Sequence, residues 1–509
     1  MRSTLAACLT ALGLAGALAC EEPAAEDVDE TDEAPAAEPA PEATEAFDPS
    51  DEAIADAVRT ELWLEDAIAP GAIEVSVSAG IVSLDGEVGS VIAERRAKAR
   101  AEAVRGVRAL VDRVEVDPPE RRDDELLEDV QEALVQDPTT ESYEVEADVR
   151  DGRVTLEGEV GSWQEKMLAE HVAGGVRGVT AVDNRVRVAV EADRPDREIA
   201  QDVQSRLAHD IRVDAALVDV AVEEGSVVLT GTVGSVWEKR LAARSAHVAG
   251  VREVDASQLE VEPFARDRMR RPPDDAPEDE AVARAVRDAW RYDPRVSPFE
   301  LEVRVDDGLA ILRGTVGSAA ARWAAEQDAR HALGVWRVRS FLRVSRDEPP
   351  EAETLARRVR EAMARNPYLE RAELTVGVND RRVRLSGVVD SAFEREEAVR
   401  VARSVGGVGS VVDDVRALDD DREVVADWVL EANVEEQLYW DPRVEAHGIT
   451  VAAEDGRVRL SGVAADWTAY LHAIEGAYDA GAASVDADLQ LRRGPPALRA
   501  ATDDDGAGS

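Results

Sequence analysis

Cysteine is almost missing from this chain: Cys8 and Cys20 are the two in 509 residues, and both lie at the extreme N-terminus. The remaining length can build neither an internal disulfide nor a thiolate metal site. Aromatic residues make up only 4%. Cores must therefore be assembled from Val, Leu, Ile and Ala, which suits several small nuclei better than one large one. Positive charge is scarce too, with 60 Lys and Arg against 107 Asp and Glu and a formal charge of -47. Such an excess of carboxylate repels phosphodiester backbones and excludes nucleic acid as a partner of the whole chain. The histidines (His171, His209, His247, His331, His447, His472) are dispersed and form no His-Glu-x-x-His pair. No Gly-x-Ser-x-Gly elbow, phosphate loop or dinucleotide fingerprint occurs. With 107 acids, chance carboxylate pairs are unavoidable and single out no catalytic dyad. The expectation is a non-enzymatic protein with no cofactor and no metal.

Long hydrophobic runs are absent as well. The one apolar stretch, Leu5 to Ala19, follows Arg2 and ends in small residues before Cys20. It is too short and too poorly flanked for a permanent span, so residues 1–20 read as an export signal. The run Ala17-Leu18-Ala19-Cys20 resembles a bacterial lipobox, in which the cysteine becomes the acylated first residue; Ala17 stands where an aliphatic residue is usual. The resemblance implies lipidation at Cys20 and a place on the periplasmic face of the cell envelope. Glu21, instead of the Asp that retains many such lipoproteins at the inner membrane, leans toward the outer membrane. Residues 21–48 hold Glu, Asp, Ala and Pro without any Lys or Arg, the composition of a disordered tether. Fully extended, it reaches about 90 Å at about 3.3 Å per residue.

After the tether one pattern recurs six times. Val82-Ser-Leu84-Asp-Gly86-Glu-Val88 is followed by copies centred on Gly158, Gly231, Gly314, Gly387 and Gly462, at spacings of 72, 73, 83, 73 and 75 residues. So regular a period defines tandem domains, at 49–117, 121–190, 194–262, 277–345, 350–418 and 421–492. Residues 263–276, with Arg266, Arg268, Arg270, Arg271, Pro272 and Pro273, read as a flexible joint that divides the array three plus three. Residues 493–509 read as a disordered tail.

Within each copy, Ile54, Val58 and Leu62 and their counterparts recur every four residues and mark an amphipathic helix. Ile73, Val75 and Val77 alternate as a half-buried strand does. Asp151-Gly152, Glu224-Gly225, Asp307-Gly308 and Asp455-Gly456 supply the positive φ of two-residue hairpin turns. Capping boxes at Ser162-x-x-Glu165, Ser235-x-x-Glu238 and Ser391-x-x-Glu394 start a second helix. Its alanines, such as Ala93, Ala97 and Ala101, are expected to sit over the marker glycine, smallness facing absence. Gly106-Val107 and its counterparts stop that helix, and a last strand runs through Val114 and Val116. One repeat is helix, strand, strand, helix, strand. The fold class is α+β, six tandem αββαβ two-layer modules.

In that order and spacing the repeat resembles the BON domain, named for bacterial osmotically induced and nodulation-related proteins. The resemblance covers residues 51 to about 492. It implies a non-catalytic module of exported proteins that contacts phospholipid surfaces, envelope proteins or both and supports envelope integrity. The alternative it implies is a periplasmic chaperone that holds unfolded clients in osmotic stress or export. Lipid contact in the family is placed on the second helix and neighbouring loops, which maps here onto Trp163, Trp237, Phe393 and Trp467, with Lys166, Lys239 and Arg240 as companion cations. The competing reading is that these rings cap their own cores or seal contacts between repeats. Arg95, Arg96, Lys98 and Arg100, interleaved with Glu94 and Glu102, are expected to pair along a solvated helix face.

Overall fold

The structure, a computed structural model, describes residues 49–189, 194–263, 277–345, 350–418 apart from 371, and 426–491 apart from 466. The export signal with Cys20, the acidic segment through Asp48, the arginines of the joint and the C-terminal tail lie outside the described residues.

Ile54, Val58 and Leu62 all point inward from the first helix, Asp51–Leu64. Helices of the same length occupy Asp123–Gln136, Asp196–His209, Asp279–Tyr292, Ala352–Arg365 and Asp427–Trp440. Each is followed by an antiparallel hairpin. The anticipated turns adopt positive φ at both central residues, as at Asp151 (50°) and Gly152 (73°). Ala79-Gly80 and Asp380-Arg381 turn in the same way without the Asp-Gly signature. What holds the turn is a carboxylate at the first position of the preceding helix. Asp51 accepts from the amides of Ala79 (2.8 Å) and Gly80 (2.9 Å). Asp123, Asp196 and Asp279 clamp both turn amides of their own repeats, and Asp427 accepts from Gly456. One acid thus starts a helix and anchors a hairpin. In repeat 5 Ala352 takes that position, and Arg381 instead donates from Nε to the Gly407 carbonyl at 2.8 Å.

The hairpin's second strand is central in every sheet. It pairs antiparallel with the first strand and parallel with the third, which the second helix delivers by crossover. In repeats 2 and 3 the third strand is broken in two, Ala181–Asn184 with Arg187–Val188 and Glu253–Asp255 with Leu259–Val261. The marker glycines are required for a reason other than the expected one. Gly86, Gly158, Gly231, Gly387 and Gly462 have φ between 108° and 155°, and a Cβ would stand 2.1–2.3 Å from a carbonyl oxygen at the start of the antiparallel neighbour. In repeat 4 a Cβ on Gly314 would meet Leu301 Cδ2 at 2.7 Å and the Glu300 carbonyl at 3.1 Å. Strand neighbours, and not the alanines of the second helix, exclude a side chain there.

Those alanines do pack against the sheet: Ala93, Ala97 and Ala101 are fully buried. The three capping boxes form, with Ser162, Ser235 and Ser391 each accepting from the amide three residues on. The glutamates reach one residue further back than expected, accepting from Gly161, Gly234 and Asp390. Each repeat closes its own nucleus around a marker-strand leucine (Leu84, Leu156, Leu229, Leu312, Leu385, Leu460) with no exposure. The α+β reading of six αββαβ modules therefore holds.

Candidate functional site

All six repeats fall in one compact unit, and their contacts follow a rule. An α-helix leaves its last carbonyls without intrahelical donors. Here another repeat supplies them. The Arg105 amide of repeat 1 donates to Trp440 of repeat 6 at 2.8 Å; Arg177 of repeat 2 donates to Arg365 of repeat 5 at 2.7 Å, and Gly406 of repeat 5 returns the bond to Gln136 at 2.9 Å; Leu333 of repeat 4 donates to His209 of repeat 3 at 2.7 Å. Repeats therefore pair 1 with 6, 2 with 5 and 3 with 4, as if the string of domains were itself a hairpin. Side chains reinforce each pair. Arg105 Nη2 donates to the carbonyls of Asp441 (3.0 Å) and Val444 (2.7 Å), and Arg365 Nη2 donates to Gln136 Oε1 at 2.6 Å. Contacts also link repeats 1, 2 and 3 to one another: Arg95 meets His171, Gln164 donates to the His247 carbonyl, and Arg240 pairs with Glu102.

Of the second-helix residues named from sequence, Trp163, Trp237, Arg240 and Phe393 lie against another repeat. Trp163 packs tilted against His247 of repeat 3 with centroids 4.6 Å apart, and Lys166 sits 5.3 Å from its ring while donating to the Val186 carbonyl. Trp237 is half-buried beneath Arg443 of repeat 6, and Lys239 donates to the Leu259 carbonyl. Phe393 is buried edge-on against Tyr368 and under Arg96 of repeat 1 at 4.5 Å. Trp467 opens the second helix of repeat 6, Trp467–Asp479; its side chain lies outside the described residues. Arg95, Arg96 and Arg100 do not line a solvated face. Arg96 (2.6 Å) and Arg100 (3.0 Å) clamp Glu65, and Arg100 continues to Asp479 of repeat 6 at 2.9 Å. Lys98–Glu94 is the anticipated i,i+4 pair. The correction has one cause: a charged helix face reads as solvated until a second domain covers it.

Buried charge collects in the seams. Glu61 is surrounded by Arg100, Asp479 and Asp441; burial, then the two aspartates, push its carboxyl up to about 7 against the Arg100 attraction. His331, whose carbonyl receives the Ile211 amide of repeat 3, is pushed down to about 3 by burial and by Arg212. Three repeats carry the same local ion pair just after the first helix: Asp210–Arg212, Asp293–Arg295 and Asp441–Arg443. Burial works against Asp441, but Arg443 overrides it and holds the carboxyl at about 2. The motif Asp-x-Arg-Val at 210, 293 and 441 was visible in sequence and is the signal by which these seam residues could have been found. Arg105, Arg212, Trp237 and Arg443 line a crevice among repeats 1, 3 and 6 with about 30 Å³ of free volume, room for little more than a water. Among the described residues no cluster of His, Cys, Asp and Glu is placed to hold a metal, and no helix is long and apolar enough to cross a membrane.

The BON domain pattern matches residues 50–118, 122–190, 195–263, 278–346, 351–419 and 426–493. Osmotically-inducible protein Y of Escherichia coli (strain K12) is 31% identical over 109 residues, 21% of this chain and 54% of that protein, so the chain spans about half the length of that relative. Among solved structures, the C-terminal domain of CdsD, the structural protein of the Type III secretion system of Chlamydia trachomatis, is similar at 16% identity over 38% of this chain and 91% of its own, with a TM-score of 0.12. A second CdsD structure aligns over 43% of this chain and 99% of its own at 17% identity, again with a TM-score of 0.12. Six matches in register with six helix–strand–strand–helix–strand units place the protein in the BON domain family, as a chain of six tandem copies.

Proposed function

We propose that this protein is a non-enzymatic scaffold of the cell envelope, exported, acylated at Cys20 on the periplasmic side of the outer membrane, and working by contact with phospholipid surfaces and envelope proteins. The observation that carries this reading is the way the modules spend their surfaces. The second-helix starts, with Trp163, Trp237 and Phe393, are engaged by neighbouring repeats, while the outer faces of the sheets stay open. A chain of this kind binds by display and not by enclosing a substrate. The Trp163, Trp237 and Phe393 rings serve the scaffold's rigidity first; lipid would reach them only where a seam parts. Flotation of the full chain carrying Cys20→Ser, with vesicles of phosphatidylglycerol and phosphatidylcholine, tests the reading: co-flotation is expected, and a protein that stays at the bottom with every vesicle refutes the lipid half of it.

A second reading, the holding of unfolded clients, has one observation behind it. Trp63 and Trp428 of repeats 1 and 6 are largely exposed, with Tyr439 and Tyr478 about half exposed, and exposed apolar side chains are where unfolded chains adhere. Suppression of client aggregation by a chain that does not float would favour it.

A further inference from the structure

The outward sheet face of repeat 4 differs from the others. Its strands are Leu301–Asp306, Leu309–Val316 and Arg337–Val344. Alternation turns Val303, Val305, Ala310, Leu312 and Leu342 into the core. The opposite positions carry five exposed arginines, Arg304, Arg313, Arg337, Arg339 and Arg343, against two carboxylates, Glu302 and Asp306. Strand register places them in rows: Arg304, Ile311 and Arg339 lie side by side, then Glu302, Arg313 and Phe341. The Phe341 ring is 54% exposed in the middle of the positive charge, with the Arg313 guanidinium 5.9 Å from its centroid. None of the five arginines makes an ion pair among the described residues. By contrast, Arg384 on the repeat 5 face and Arg459 on the repeat 6 face are paired with Asp414 and Asp486, and the repeat 3 face shows Asp219, Glu223, Glu253 and Asp255 with no cation among its strands.

We infer that this face is the surface the protein lays against anionic phospholipid. Three features fit that ligand. The face is open and spans about 20 Å along the strands, so it can meet a plane. Guanidinium is the side chain that binds phosphate oxygens through two parallel hydrogen bonds. A ring flanked by cations suits the headgroup layer, where its apolar body and the charges are both satisfied. The inference rests on the membrane reading above, and the anchor in that reading answers the main objection. A chain of charge -47 is repelled from anionic partners at long range, and tethering supplies the face at high effective concentration to one partner only, the membrane that holds it. At contact, with more distant charges screened beyond about 10 Å, five cations against two carboxylates hold the surface without the anchor, so the untethered chain binds as well, more weakly. An acidic protein or a nucleic acid has no such advantage.

The test uses the full chain with Cys20→Ser, so that no acyl group contributes, and measures partition onto phosphatidylglycerol–phosphatidylcholine vesicles against pure phosphatidylcholine. Each arginine near an anionic surface is worth about fivefold in binding. Arg313→Gln with Arg339→Gln should therefore weaken binding to the anionic vesicles about 25-fold, Phe341→Ala should weaken it severalfold, and added salt should abolish it. All three side chains are exposed, and an unchanged circular-dichroism melt certifies the fold. If the parent chain binds the anionic vesicles and the double variant binds equally well, this face is wrong and the membrane reading survives. If the parent binds no vesicle, both fall. Tighter binding of this face to polyglutamate or duplex DNA than to the vesicles would also overturn the assignment to lipid.

Discussion

Glu61 offers a direct test of whether repeats 1 and 6 are sealed together. Its side chain is only 14% exposed, and its neighbours Asp479 and Asp441 belong to repeat 6. Burial and those aspartates raise its carboxyl to about 7 from an ordinary 4.5. Below pH 4.5 both the folded and unfolded chains carry the proton, and the seam has its full strength. Between 4.5 and 7 the unfolded chain releases the proton while the folded chain keeps it, so stability falls as pH rises and levels off above 7. At about 1.36 kcal/mol per pH unit the loss amounts to about 3 kcal/mol. Glu61→Gln holds the neutral form at every pH. It should match the parent at pH 4.5 and exceed it by about 3 kcal/mol at pH 8, while Arg100 keeps Glu65 and Asp479 as partners. Hydrogen exchange of the Arg105 amide, which donates across this seam to Trp440, reports the opening locally; after correction for intrinsic rates, protection should rise about 100-fold at pH 8. Identical pH dependence in parent and variant, or lower protection in the variant at pH 8, would refute the reasoning.

Asp196→Ala removes the acceptor for the Glu224 and Gly225 amides and a favourable charge at a helix start; repeat 3 should lose about 1–2 kcal/mol in urea denaturation, while Ala352 in repeat 5 marks a position where the clamp was never present. Gly158→Ala drives a Cβ to 2.1 Å from the Glu144 carbonyl at a positive φ and should cost more than about 3 kcal/mol, whereas Gly89→Ala, with nothing within 4 Å, should stay within about 0.5 kcal/mol. His331 is held down to about 3, so from pH 6.5 to 3 the unfolded chain binds a proton that the folded chain refuses and stability falls as pH drops. Its ring resonances should show no titration above pH 4, and His331→Gln should flatten the acid limb of the stability curve.

What sequence made legible was whatever depends on neighbours close along the chain. Ile54, Val58 and Leu62, the alternation at Ile73 to Val77, the serine caps and the Asp-Gly turns each report a local geometry, and each formed. The Ala79-Gly80 and Asp380-Arg381 turns escaped because no local preference demanded them. A clamp from Asp51, 28 residues away, stabilises the first, and the Arg381 bond to Gly407 the second. The marker glycine was located correctly but explained by the wrong neighbour, since periodicity shows that a side chain is excluded and not which atom excludes it. The candidate site suffered most. Trp163, Trp237 and Phe393 are amphipathic residues at helix starts, a pattern that a membrane anchor and a domain seam share, and only the placement of His247, Arg443 and Arg96 distinguishes them.

The seams were illegible for a deeper reason: their most regular bonds involve main-chain atoms. Trp440, Gln136, Arg365 and His209 have little in common as side chains, yet each offers the last carbonyl of a first helix to an amide of another repeat. Any residue can provide that carbonyl, so selection leaves no consensus there. It does leave one beside it, in the Asp-x-Arg-Val segments that fix the chain leaving the helix in repeats 3, 4 and 6. Because a helix-end carbonyl is satisfied by water when no partner is present, pairing adds little to the folding of any one repeat. Each module closes on its own leucine and alanine nucleus, and order among modules is set by polar contacts together with a few apolar side chains that cross the seams, such as Val91 of repeat 1 against the repeat 2 nucleus and Ala319 of repeat 4 against the repeat 5 nucleus, which tune how firmly the array holds its open faces in place.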